Sequence, residues 1–140
     1  MLHRIVFFIL AGLILSSGAA MAGDAGKEAS AVFAAEKWLA LVDAGEYSAS
    51  WKDAAELFRN AVKPEQWEQA MQAGRKPFGK LISRKVQTKT YKTSLPGAPD
   101  GEYVRIQFGT SFENKKTAIE TVTPMMDKDG KWRVSGYYVK

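Results

Sequence analysis

The chain has 140 residues, 46% of them apolar and 25% charged, with a net charge of +5, no cysteine and a single histidine, His3. This composition suits one globular domain with its own core and excludes disulfides and thiol chemistry. Because His3 falls within an export signal, the remaining domain has neither Cys nor His. That removes Ser-His-Asp and Cys-His triads, the usual zinc sites and haem ligation by histidine, so no cofactor and no metal is expected.

The first residues carry Arg4, an apolar run over 5–15, and then Ser16-Ser17-Gly18-Ala19-Ala20-Met21-Ala22. A positive start, a short apolar stretch and an Ala-x-Ala end make a secretory signal peptide. The apolar run is shorter than the roughly 18–20 residues of a membrane span, and no cysteine follows it for lipid attachment. The sequence therefore divides into a signal peptide, 1–22, and a single domain, 23–140, that is periplasmic or secreted. Loss of Arg4 leaves a charge of +4 spread over the chain, a mildly basic surface rather than a nucleic-acid stripe. Neither nucleic acid nor a stable membrane span is expected as a partner.

A first helix is predicted over 28–44, where Ala31, Ala35, Trp38, Leu39 and Val42 recur at helical spacing while Glu36, Lys37 and Asp43 fall elsewhere. Gly45 supplies its stop. Residues 47–51 read as a tight aromatic connection. Ser50 or Asp53 then caps a second helix, Asp53 with Glu56 resembling a capping box, and that helix turns Ala54, Leu57, Phe58 and Val62 inward. Pro64 suits the first position of a third helix, which presents Trp67, Ala70 and Met71 and ends at Gly74. Trp38, Trp51 and Trp67 are either core or the walls of a ligand cleft.

After the loop 74–79, a strand over 80–91 puts Ile82, Arg84 and Val86 on one face and Leu81, Ser83, Lys85, Gln87 and Lys89 on the other. Residues 95–101 form a proline-stiffened turn pair. Val104, Ile106, Phe108 and Phe112 then alternate with polar residues along a second strand. Asn114-Lys115-Lys116 reads as a turn, 117–126 as a strand rich in β-branched residues, and Asp127-Lys128-Asp129-Gly130 as a hairpin turn. The last strand alternates Trp132, Val134, Gly136 and Tyr138 against Arg133, Ser135, Tyr137 and Val139. The expected fold class is α+β, three N-terminal helices packed on one face of a curved antiparallel sheet of about four strands.

Four segments, WLALVDAGEYSASW (38–51), GRKPFGKLISR (74–84), LPGAPDGEYVRIQF (95–108) and KWRVSGYY (131–138), resemble exported bacterial proteins of domain of unknown function family 4019. The resemblance covers nearly all of 23–140. It implies the cone of the nuclear transport factor 2-like superfamily and no assigned activity. That superfamily includes isomerases, dehydratases and cyclases with Asp–His or carboxylate pairs, a pattern from which this chain departs by lacking His.

A uniform hairpin around 128–130 pairs Met126 with Trp132, Pro124 with Val134 and Glu120 with Tyr138. Glu120 then lies on the apolar face, as does Arg84, and each is the natural partner of the other, with Arg75 the alternate. The bland reading is a buried ion pair, or a one-residue slip that returns Glu120 to water. The functional reading is a polar floor for a ligand. Its candidate binding residues are Arg84, Glu120, Tyr138, Arg75 and Trp51, and no catalytic residue is assigned. Three functions follow: a non-catalytic module binding an anionic small molecule or a protein; an acid–base enzyme using Glu120 with Tyr138 or Tyr103; and a module that homodimerises through the outer sheet face of Arg133, Ser135, Tyr137 and Val139. For the export signal, intact-mass analysis of exported material is expected to find a chain beginning at Gly23; full-length chain in the membrane fraction contradicts it.

Overall fold

The computed structural model describes residues 14–140, with side chains from residue 24 onward. The signal peptide read over 1–22 therefore lies outside the residues whose side chains are described. Helix α1 (Ile14–Asp43) starts well before residue 28, extended through an alanine-rich stretch. Its stripe of Ala31, Ala35, Trp38, Leu39 and Val42 is buried, as the spacing predicts. Gly45, at φ 75°, closes it, with Gly45 N–H donating to Val42 O (3.0 Å) and Glu46 N–H to Leu41 O (2.9 Å). That pair of bonds is the Schellman arrangement, which satisfies the last carbonyls. Among the described residues no helix is long and apolar enough to cross a membrane.

The next segment departs from expectation. The aromatic connection is itself helical, α2 (Tyr47–Asp53), and the single second helix is instead cut short as α3 (Glu56–Ala61). Neither Ser50 nor Asp53 caps it. Ala54 and Ala55 are extended and fully buried, and Ala55 N–H donates to Val134 O in the sheet (2.8 Å). Glu56 N–H donates to Asp127 Oδ2 at 3.1 Å, so the cap of α3 comes from a turn 71 residues away. Small residues at 54 and 55 let the backbone approach the strand, and a helical path there would deny that strand carbonyl its donor. Helix α4 (Pro64–Gly74) begins at Pro64 and is followed by a single 3₁₀ turn, Lys76–Phe78.

Strands β1 (Leu81–Lys92), β2 (Tyr103–Phe112), β3 (Lys115–Met126) and β4 (Trp132–Val139) form one antiparallel sheet in the order β1-β2-β3-β4. The helices pack on one face of it, which makes the fold α+β. The core joins Trp38, Leu39, Val42, Phe58, Trp67 and Met71 to Val104, Ile106, Phe108, Val122 and Val134. Each such side chain contributes about 1.5–3 kcal/mol by leaving water. Two details of the strands differ from the sequence reading. Lys115 is already in β3, and Ile82, expected inside, is 57% exposed at a register shift between Leu81 and Ser83.

The most consequential difference is in β4. Met126 pairs with Trp132 and Pro124 with Val134, as the turn predicts. The register then shifts: Thr123 faces Gly136, Val122 faces Tyr137, and Thr121 faces Tyr138. Ser135 is the extra residue, and its hydroxyl donates to Thr123 O at 2.7 Å. The bulge lies opposite Pro124, but Met126 N–H donates to Glu102 O on the β2 side, so the donor that the proline lacks two residues earlier is missing from the β2 ladder and not from the β4 one. Beyond the bulge every β4 side chain changes face. Tyr137 therefore points to the helices, while Tyr138 is half-exposed on the outer face.

Asp127 serves both ends of this arrangement, capping α3 and accepting from Lys128 N–H (2.9 Å) in the hairpin turn. Asp127→Ala is expected to lower stability by about 1 kcal/mol, the usual cost of a lost cap, in chemical denaturation. A change within about 0.2 kcal/mol contradicts the long-range cap.

Candidate functional site

The interior face brings Glu120 and Arg84 together, as the alternation predicts. Glu120 is fully buried. Arg84 Nε–H donates to its Oε1 (2.7 Å), Thr110 Oγ1–H to the same oxygen (2.6 Å), and Tyr137 Oη–H to Oε2 (2.6 Å). The strands explain the geometry. Arg84 pairs with Thr110 across β1 and β2, and the bulge at Ser135 delivers Tyr137 rather than Tyr138 to the carboxylate. Tyr138 instead accepts from Arg105 Nη2 at 3.3 Å on the other side of the sheet. It does not belong to this cluster, and neither does Tyr103, whose hydroxyl donates to Pro99 O (2.6 Å).

The residue that sequence reasoning missed is Asp43, the last residue of α1. Its carboxylate takes both terminal nitrogens of Arg84, Nη1 to Oδ2 at 2.7 Å and Nη2 to Oδ1 at 2.9 Å. Arg75 Nη2 donates to Oδ1 at 3.2 Å and Nη1 to Gly79 O at 2.7 Å. The Arg75 guanidinium also lies 4.3 Å over the Phe112 ring, a cation–π contact. Asp43 falls off the apolar stripe, so periodicity does not find it. Two other signals do. An acid in the last turn of a helix opposes the helix dipole and calls for a cation. Two inward arginines also need a second carboxylate besides Glu120.

The result is a linear chain, Tyr137–Glu120–Arg84–Asp43–Arg75, with two carboxylates balancing two guanidiniums. Burial alone would lower the Arg84 pKa, but hydrogen bonds to Asp43 and Glu120 more than reverse it, and the net direction is upward. Burial, and then the charge of Glu120, push the Tyr137 phenol above its ordinary value of 10.0. Its folded-state pKa is the higher one, so the stability it carries is complete below the ordinary value of 10.0 and is lost as pH rises from there through the raised one.

Trp51 is not part of the chain either. Its indole donates to Val62 O (2.7 Å), and Trp38 and Trp67 donate to Ser50 O (2.8 Å) and Ser50 Oγ (2.9 Å). The three indoles are thus packed and satisfied as core. The positive charge is also not evenly spread. Residues 24–74 hold nine Asp/Glu and five Lys/Arg, residues 75–140 six and fourteen, and Glu120 is the one acid within a strand.

Fold and site define a small α+β domain whose interior charges neutralise one another. The chain belongs to the family described as protein of unknown function DUF4019, whose model matches residues 34–137. No curated protein matches the chain, and no solved structure does.

Removing Glu120 strands the Arg84 Nε–H and two hydroxyls in the interior. Glu120→Ala is expected to destabilise the fold by about 3–5 kcal/mol, the range for breaking a buried pair, in denaturant melts. A loss below about 0.5 kcal/mol, typical of a surface site, contradicts the network.

Proposed function

We propose that this domain is an exported, non-catalytic binding module for an anionic small ligand or an acidic partner protein, built on a cone of the nuclear transport factor 2-like kind. The observation that carries the reading is the commitment of Glu120. A general base must offer a lone pair to a substrate proton at about 2.6–3.2 Å. Glu120 has no exposed surface, and three donors already occupy its oxygens. Arg84 is similarly committed, with Asp43 filling the fork that an incoming carboxylate or phosphate would use. Binding therefore falls to the surface.

The sign of the ligand follows from the charge distribution. On the outer sheet face Lys85, Arg105 and Lys140 have no carboxylate within ion-pair distance among the described residues. A homodimer through that face would set these cations against their own copies, which favours an acidic partner over a second copy.

The test is a thermal-shift series on residues 23–140 at constant ionic strength, with carboxylate and phosphate compounds and their neutral amides. Anions are expected to raise the melting temperature and the amides to leave it unchanged. A ligand at 100 times its Kd adds about 2.7 kcal/mol. Turnover of an enolisable ketone or an epoxide, lost in Glu120→Gln while the fold persists, overturns the reading.

A further inference from the structure

A cleft of about 240 Å³ opens between α1 and the edge strand β4, away from the charge network, lined by Phe33, Ala34, Lys37 and Trp38 from α1 and Lys131 to Val134 from β4, with Asp53 at its rim. Its floor is core, since Trp38 and Val134 are each 1% exposed. Its walls are aromatic. Trp132 is half-buried against the core, whereas Phe33 is 62% exposed, with the Lys37 ammonium 5.2 Å from its ring centroid. α1 has no packing use for a phenyl ring there, because its buried stripe runs through Ala31, Ala35 and Trp38.

The charges at the rim differ in availability. Arg133 is held by Asp129 (2.6 Å), with Asp127 at 3.7 Å and Asp53 at 4.0 Å, so the one acid of the cleft already faces a cation. Lys37 and Lys131 have no carboxylate within ion-pair distance among the described residues. Two aromatic walls over an apolar floor favour a flat ring, through offset or edge-on packing. Two uncompensated ammonium groups at the rim favour an anionic substituent on it. The volume is below the roughly 300–1,000 Å³ of drug-sized sites, which limits the ligand to one or two rings.

From this we infer that the α1–β4 cleft binds a small planar aromatic carboxylate, with Phe33 and Trp132 as walls and Lys37 and Lys131 as the carboxylate's partners. The inference rests on the binding-module reading and names its ligand class. Neither Phe33 nor the two lysines belongs to the core, so their substitution leaves the fold intact.

Calorimetric titration of residues 23–140 with 2-naphthoate tests it, beside 2-naphthamide as the neutral isostere and cyclohexanecarboxylate as the non-aromatic anion. The expected result is one site for 2-naphthoate, with both comparison compounds at least tenfold weaker. Phe33→Ser and the double variant Lys37→Gln/Lys131→Gln are each expected to weaken 2-naphthoate at least tenfold, with unchanged melting temperature in the absence of ligand. Equal binding of naphthoate and naphthamide, or binding indifferent to these variants, overturns the assignment to this cleft. If other anions still raise the melting temperature of the double variant, the broader binding reading survives that failure. If no anion does so even with the unaltered chain, both fall.

Discussion

Arg84 is the residue on which the interior depends, because it is a charge that three separate elements share. It is carried on the edge strand β1, reaches across β2 to Glu120 on β3, and closes on Asp43 at the end of α1. An unpaired charge in that position costs several kcal/mol, so the helix end and the two strands have to arrive in one relative position to neutralise it. Apolar packing tolerates small slides of a helix over a sheet. A bidentate guanidinium–carboxylate pair does not, since both bonds are lost together. The hydrophobic core thus supplies the driving force, and the ion chain fixes where α1 sits on the sheet.

Much of this was legible in the sequence because it is local or periodic. The buried stripe of α1, the alternation along β2, the start of α4 at Pro64 and the Gly130 turn each follow from residues within a few positions of one another. Arg84 and Glu120 were legible as a pair because two charges on apolar faces require each other. What was not legible depends on distant backbone. The break between α2 and α3 is set by the carbonyl of Val134 and the carboxylate of Asp127, and neither leaves a trace in the spacing of residues 47–61. Tyr137 and Tyr138 are adjacent and chemically identical. Only the bulge chooses between them, and the alternation of residues 132–139 leaves no sign of it.

Asp43 belongs to a third category, readable from electrostatics but not from pattern. Counting inward charges along the whole chain shows one carboxylate too few, and the end of the first helix is where an extra one is least stable without a cation. The charge imbalance between helices and sheet was likewise present in the sequence. It acquires meaning only once all the strands lie in one layer and the helices in another.

The sheet's two open edges have a bearing on how the protein behaves when crowded. β1, twelve residues long, has no neighbouring strand on one side, and β4, eight residues long, has none on the other, where Ala55 N–H takes the Val134 carbonyl. Edges of this kind template strand-to-strand polymerisation. Here each is blunted by a different device. β1 carries Lys85, Lys89 and Lys92 and two register shifts, so an approaching copy meets like charge and a twisted ladder. β4 is short and interrupted by the Ser135 bulge. The bulge that turns Tyr137 to the interior thereby also spoils the edge for amyloid-like stacking. One extra residue in β4, Ser135, serves internal register and colloidal stability at the same time.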